Sequence, residues 1–124
     1  MSESNPGKTI TFISRTAPYG QEQPQLCLDM ALASAVFDQQ VNYVFLEDGV
    51  FQLLSSQNAE SINSKTIGNA LETLDLYGIE NIFVDENSLS QRNIQQSDLI
   101  IDAKIVPRSI ITELIDRSNT VFNL

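Results

Sequence analysis

The sequence predicts an α/β protein, a three-layer α/β/α domain around a mostly parallel five-stranded sheet. Two observations carry this. Short β-branched and aromatic runs alternate with stretches of helical periodicity, the order that builds a parallel sheet covered on both faces. The chain has 124 residues of which 42% are apolar, which fits one domain with a substantial core. Right-handed crossovers then leave little freedom in local topology.

Residues 1–8, "MSESNPGK", are polar and hold Pro6 and Gly7. They are expected to be a flexible N-terminus, ahead of a single domain over residues 9–124. No apolar stretch precedes a cleavage-like site, so no signal peptide is expected. "TITFIS" (9–14) is the first strand. A loop punctuated by Pro18, Gly20 and Pro24 follows. The first helix is expected over 24–39, with Leu26, Met30, Ala33 and Phe37 on one face. Its other face, Cys27, Ala31 and Ala35, is also small or apolar, so the helix is expected to pack on the sheet and against another subunit.

"VNYVFLE" (41–47) is the second strand, and "SSQNAESIN" (55–63) an exposed loop. In "SKTIGNALETLDLYG" (64–78), Ile67, Ala70, Leu71 and Leu74 keep helical spacing and Gly78 stands where a C-terminal cap belongs. "ENIFVD" (80–85) is the third strand. "DLIIDAKIV" (98–106) contains the fourth. Pro107 opens a helix whose inner stripe is Ile110, Ile111, Leu114 and Ile115. "NTVFNL" (119–124) is the fifth strand.

Composition excludes several function classes. Sixteen acidic and 7 basic side chains give a formal net charge of -9, which repels phosphate backbones, so no direct nucleic-acid binding is expected. There is no histidine, which removes the usual general base and the commonest metal ligand. No metal site and no cofactor are expected. The single cysteine, Cys27, forms no internal disulfide, and this fits a reducing, cytoplasmic setting. The longest apolar-rich run, "MALASAVF", is too short to span a membrane. The "APYG" turn lacks both phosphate-loop spacing and the glycine count of a dinucleotide site.

Ligands of an open parallel sheet gather beyond the carboxyl ends of the strands. Three loops should meet there: "SRTAPYG", "LEDGV" and "VDENS". They bring Arg15, Tyr19, Glu47, Asp48, Asp85 and Glu86, a mainly acidic edge with one cation. Asp48 is expected to cap a short helix starting near Val50. Its alternative roles are a general acid or base, or an anchor for a partner's cation. Gly49 eases the turn by a positive φ or by close backbone packing. Glu47 and Asp48, as neighbours at a strand end, point opposite ways and do not form a proton-sharing dyad. Arg15 is expected to pair with Asp48 or to hold an anion. Cys27 is the candidate nucleophile, since a helix start lowers a thiol pKa. The alternative is a buried core thiol, with Asp29 nearby opposing a thiolate.

Two segments together carry a family resemblance. "SRTAPYG…LCLDMALASAVFDQQV" and "VFLEDGVFQLL" resemble the TusC/DsrF branch of the DsrE/DsrF/DsrH superfamily. The matching residues are Arg15, Pro18, Tyr19 and Gly20, then Leu28, Asp29, Leu32, Ala33, Ala35 and Phe37, then Asp48, Gly49, Val50, Gln52 and Leu53. "LDLYGIENIFV" and the terminal "VFNL" are similar to later stretches of the family. The resemblance implies a three-layer α/β/α fold and a place in a heterohexamer with DsrE/TusD-like and DsrH/TusB-like subunits. It implies a relay of persulfide sulfur to a downstream acceptor protein, toward 2-thiouridine at the tRNA wobble position or in dissimilatory sulfur oxidation. It also implies that the carrier cysteine belongs to the DsrE/TusD-type subunit. Cys27 falls where a small residue is usual, so the chain is expected to be a structural, non-catalytic partner.

Overall fold

The computed structural model describes residues 8–17, 22–37, 39–54 and 71–124. Its strands are β1 (Thr9–Ser14), β2 (Gln40–Phe45), β3 (Asn81–Asp85), β4 (Lys104–Val106) and β5 (Thr120–Asn123). They form one sheet in the order β4-β3-β2-β1-β5, and every neighbouring pair is parallel. The expected five-stranded parallel sheet is therefore observed. The strands lack a simple apolar–polar alternation because both sheet faces are covered, so successive residues such as Tyr43, Val44 and Phe45 are all fully buried.

One face carries the larger core. Phe12, Tyr43, Phe45 and Val84 form its floor, beneath α1 (Gln23–Val36), the 71–79 segment and α2 (Glu86–Gln91). The other face is covered by α3 (Arg108–Arg117), which buries Ile111 against Ile13, Val44 and Phe83. Pro107 stands just ahead of α3, as its fixed φ favours, and Ile110, Leu114 and Ile115 are half-buried beside Ile111.

The structure decides which of the two apolar faces of α1 meets the sheet, a choice the sequence leaves open. The face turned inward is Pro24, Cys27, Leu28 and Ala31, while Leu26 (48% exposed), Ala33 and Phe37 (74%) face outward. The reason lies in the floor. Phe12, Tyr43 and Phe45 rise as a row of rings, with 6.5 Å and 5.0 Å between successive centroids. Close packing above such a row leaves room for small side chains, and Cys27 and Ala31 supply them. The helix also stops at Val36, because β2 already begins at Gln40.

The helix expected over 64–78 lies partly outside the described residues, Ile67 and Ala70 included. Its end is as expected. Gly78 takes φ +79, its N–H donates to Asp75 O (3.1 Å), and the Ile79 N–H donates to Leu74 O (3.0 Å). This double bond pattern is a Schellman closure, sealed by the buried pair Leu74 and Ile79. The expected 55–63 loop, the "PYG" of the first turn and the N-terminus through Gly7 are outside the described residues.

A candidate functional site at the carboxyl edge of the sheet

Parallel strands end on one edge, and there the segments after Ser14, Phe45, Asp85 and Val106 meet. The second of these is a 3-10 helix, Glu47–Leu53, holding the "EDGVFQL" motif. It is preceded by Leu46 in extended conformation, with no side-chain cap. The expected capping role of Asp48 is therefore not observed: the helix starts at Glu47, which puts Asp48 inside the first turn. The cap belongs to another carboxylate. Asp85 accepts from the Ser88 N–H (3.1 Å) and from the Ser88 hydroxyl (2.7 Å), and so starts α2 within what was expected to be a plain loop.

Gly49 resolves in favour of close packing. Its φ is not positive, but a Cβ placed on it would collide with the Ser14 carbonyl and lie 2.9 Å from Arg15 Cα. The motif thus lies flat against the end of β1. Gln52, only 2% exposed, locks it there: its Nε2 donates to Ser14 Oγ (2.7 Å) and to Thr16 O (2.9 Å). The turn enters through Glu47 at φ +50, an uncommon conformation for a non-glycine residue. The Glu47 N–H donates to Ser88 Oγ (2.8 Å), which ties this turn to α2.

The charges pair differently from expectation. Arg15 pairs with Glu47 (3.3 Å), not Asp48. Asp48 instead takes two bonds from Arg92, at 3.2 and 3.0 Å. Arg108 donates to the buried Asp85 (2.8 Å). Among the described residues the edge therefore holds three arginines rather than one cation. Arg92 and Arg108 were missed because neither lies in the three strand-end loops: one closes α2, the other is the first residue of α3 after β4. Burial pushes the Asp85 carboxyl upward, but Arg108 and the two Ser88 donors outweigh it and hold the carboxyl below its ordinary value. Asp85 in turn raises Arg108. Glu47 and Asp48 each face a different arginine, so they form no dyad.

Cys27, on the inner face of α1, is fully buried beneath the surface of this edge. Burial pushes its thiol up to about 11, and the Tyr43 and Ser14 hydroxyls pull the other way without offsetting it. The helix-start effect is overwhelmed by desolvation. Among the described residues no cluster of His, Cys, Asp and Glu could hold a metal ion. No described helix is long and apolar enough to cross a membrane. Pro18, Tyr19 and Gly20, the rest of the edge motif, lie outside the described residues. The geometry gives a rigid, charge-paired rim with no thiol among its described residues.

Comparison with known proteins agrees with this architecture. Residues 8–124 match the model of the DsrE/DsrF-like family. The chain is 33% identical over 114 residues to a "Protein TusC homolog" of Vibrio parahaemolyticus, covering 92% of this chain and 97% of the relative. It is 32% identical over 130 residues to the "Intracellular sulfur oxidation protein DsrF" of Allochromatium vinosum, covering 94% and 96%. Among solved structures, the ychN protein from E. coli superposes with a TM-score of 0.79 at 21% identity, covering 94% of this chain and 99% of that one. A protein of unknown function from Methanobacterium thermoautotrophicum gives 0.68 at 14% identity over the same shares. At those identities the two structures bear on the fold alone.

Proposed function

This chain belongs to the DsrE/DsrF-like family, and from that premise we propose that it is a non-catalytic subunit of a sulfur-relay complex. Relatives bearing the names TusC and DsrF match it along nearly the whole chain, which supports the relay. The observation that carries the non-catalytic role is the state of Cys27. A persulfide carrier needs an accessible thiolate. The only cysteine in the sequence is fully buried, with its thiol pushed up to about 11. Sulfur chemistry in the complex then uses a cysteine of another subunit, and this chain supplies a shaped surface.

The exposed face of α1 supports assembly. Leu26, Val36 and Phe37 are large apolar side chains at 48%, 63% and 74% exposure. Such a face is costly for a monomer to leave in water and is suited to cover by a partner. The proposed partners are DsrE/TusD-like and DsrH/TusB-like subunits in a heterohexamer, in the cytoplasm. The proposed end point is 2-thiolation of tRNA wobble uridine, with dissimilatory sulfur oxidation as the alternative that the DsrF-named relative favours.

Two measurements test this. Co-expression with DsrE- and DsrH-like subunits should give one larger species of fixed stoichiometry, and a chain that stays apart from them would remove the assembly. Exposure of that complex to a persulfide donor, followed by intact mass, should add sulfur to a partner subunit and none to this chain. A gain of one sulfur here that vanishes in Cys27→Ser would overturn the non-catalytic role.

A further inference from the structure

A second surface lies on the same sheet face as α1 but toward the β4 edge. There the 71–80 segment and residues 100–102 enclose an open groove of about 430 Å³. Its floor is apolar: Leu71, Leu74, Ile79 and Ile82 are at most 6% exposed, and Ile100 and Ile101 form a half-buried wall. Its rim is of one sign. Glu72, Asp75, Glu80 and Asp102 line it, all exposed, and among the described residues no lysine or arginine does. Leu76 (83% exposed) and Tyr77 (50%) stand out from the turn that forms one side.

We propose that this groove docks a short aliphatic segment of a partner protein flanked by lysine or arginine. Charge complementarity selects that occupant. A lone metal or polyamine would use the carboxylates and leave the aliphatic floor wet. A neutral apolar molecule would use the floor and ignore four carboxylates. A second copy of this chain brings 16 acidic against 7 basic side chains, so acid would face acid across the contact. An anionic lipid surface is repelled for the same reason. An aliphatic stretch with basic flanks satisfies both parts, the floor supplying affinity and the rim supplying register and encounter rate. The groove is separate from the paired rim around Arg15, Arg92 and Arg108, so the proposal stands whether or not the chain serves a sulfur relay.

The test uses the full chain and two labelled peptides, Lys-Lys-Ile-Leu-Ile-Lys-Lys and its twin with glutamate in place of every lysine. The lysine peptide should bind saturably, weaken as salt rises, and shift the amide signals of Leu74, Ile79 and Ile101. The glutamate twin should not bind. The double variant Glu72→Lys with Asp102→Lys should melt no lower than the parent chain and lose about tenfold in affinity for the lysine peptide. A single rim substitution, Glu80→Gln, should lose less, in the same direction. Four results would overturn the proposal: no binding, equal binding of both peptides, signal shifts elsewhere on the molecule, or through-space signals placing residues 55–70 of the chain itself in the groove.

Discussion

Gly49 has backbone where a side chain would go. The methyl of Gly49→Ala would press on the Ser14 carbonyl and on Arg15 Cα, neither of which can rotate away. The 3-10 turn must then lift off β1, which also loosens the two Gln52 bonds. Overpacking of this kind costs about 3 kcal/mol, read as a lower denaturant midpoint with unchanged slope. A loss below about 0.5 kcal/mol would show that the turn yields freely. Arg108 acts in another way. Arg108→Ala leaves the fully buried Asp85 with Ser88 as its remaining partner, at a cost of about 2 kcal/mol at neutral pH. The sign with pH follows from the lowered carboxyl. A folded value below the unfolded one, about 3.9, stabilises the protein fully above about pH 4 and is lost as pH falls through the folded value. Without Arg108 the carboxyl rises, so the acid unfolding midpoint should move to higher pH. Superimposable acid unfolding curves for the two proteins would refute this.

At the level of elements, α1 shows what a sequence can and cannot tell. Its existence was legible, because apolar residues recur at helical spacing between two loop signals. Its orientation was not, because both faces are apolar and periodicity alone does not rank them. The rank is set by the aromatic floor of β1 and β2, which admits Cys27 and Ala31 and turns Leu26 and Phe37 outward. The strands and the Gly78 closure were legible for local reasons: β-branched runs, and a glycine needed at positive φ. Asp85 as the cap of α2 had a readable signal in Asp-Glu-Asn-Ser, an acceptor three residues ahead of Ser88. The pairs Arg92–Asp48 and Arg108–Asp85 had none, since they join residues 44 and 23 positions apart that only the finished sheet brings together. The outward face of α1 also makes a prediction. Leu26→Ser with Phe37→Ser removes apolar surface that the isolated chain leaves in water, so its stability should change by less than about 0.5 kcal/mol per site. Assembly with partner subunits should fall sharply, as seen by size-exclusion of the co-expressed set. A loss of about 2 kcal/mol in the isolated chain would mean that this face packs within the chain and is not an assembly surface.

For the molecule as a whole, the balance of charge decides how stability responds to solution conditions. The net charge of -9 repels itself, most strongly where Glu72, Asp75, Glu80 and Asp102 gather on one groove. Against it stand pairs such as Arg15–Glu47 and Arg117–Glu113, which are substantially exposed at both ends and worth about 0–1 kcal/mol each. Arg108–Asp85, with its acid fully buried, is among the described residues the pair least open to screening. Salt therefore weakens repulsion over the whole surface more than it weakens attraction at the paired rim. Raising sodium chloride from about 10 to 150 mM shortens the screening length from about 30 to 8 Å, less than the breadth of the acidic surface. The melting temperature should rise by about 2–4 °C, equivalent to roughly 0.5–1 kcal/mol for a chain of this size. Acid cannot give the same relief. Protonating the surface carboxylates reduces the repulsion, but continued acidification also neutralises Asp85 and releases Arg108 and the start of α2. Stability should thus improve with salt at pH 7 and fall on acidification below about pH 4 at any salt concentration. A melting temperature that drops with sodium chloride would show that the exposed pairs, not the net charge, govern the fold.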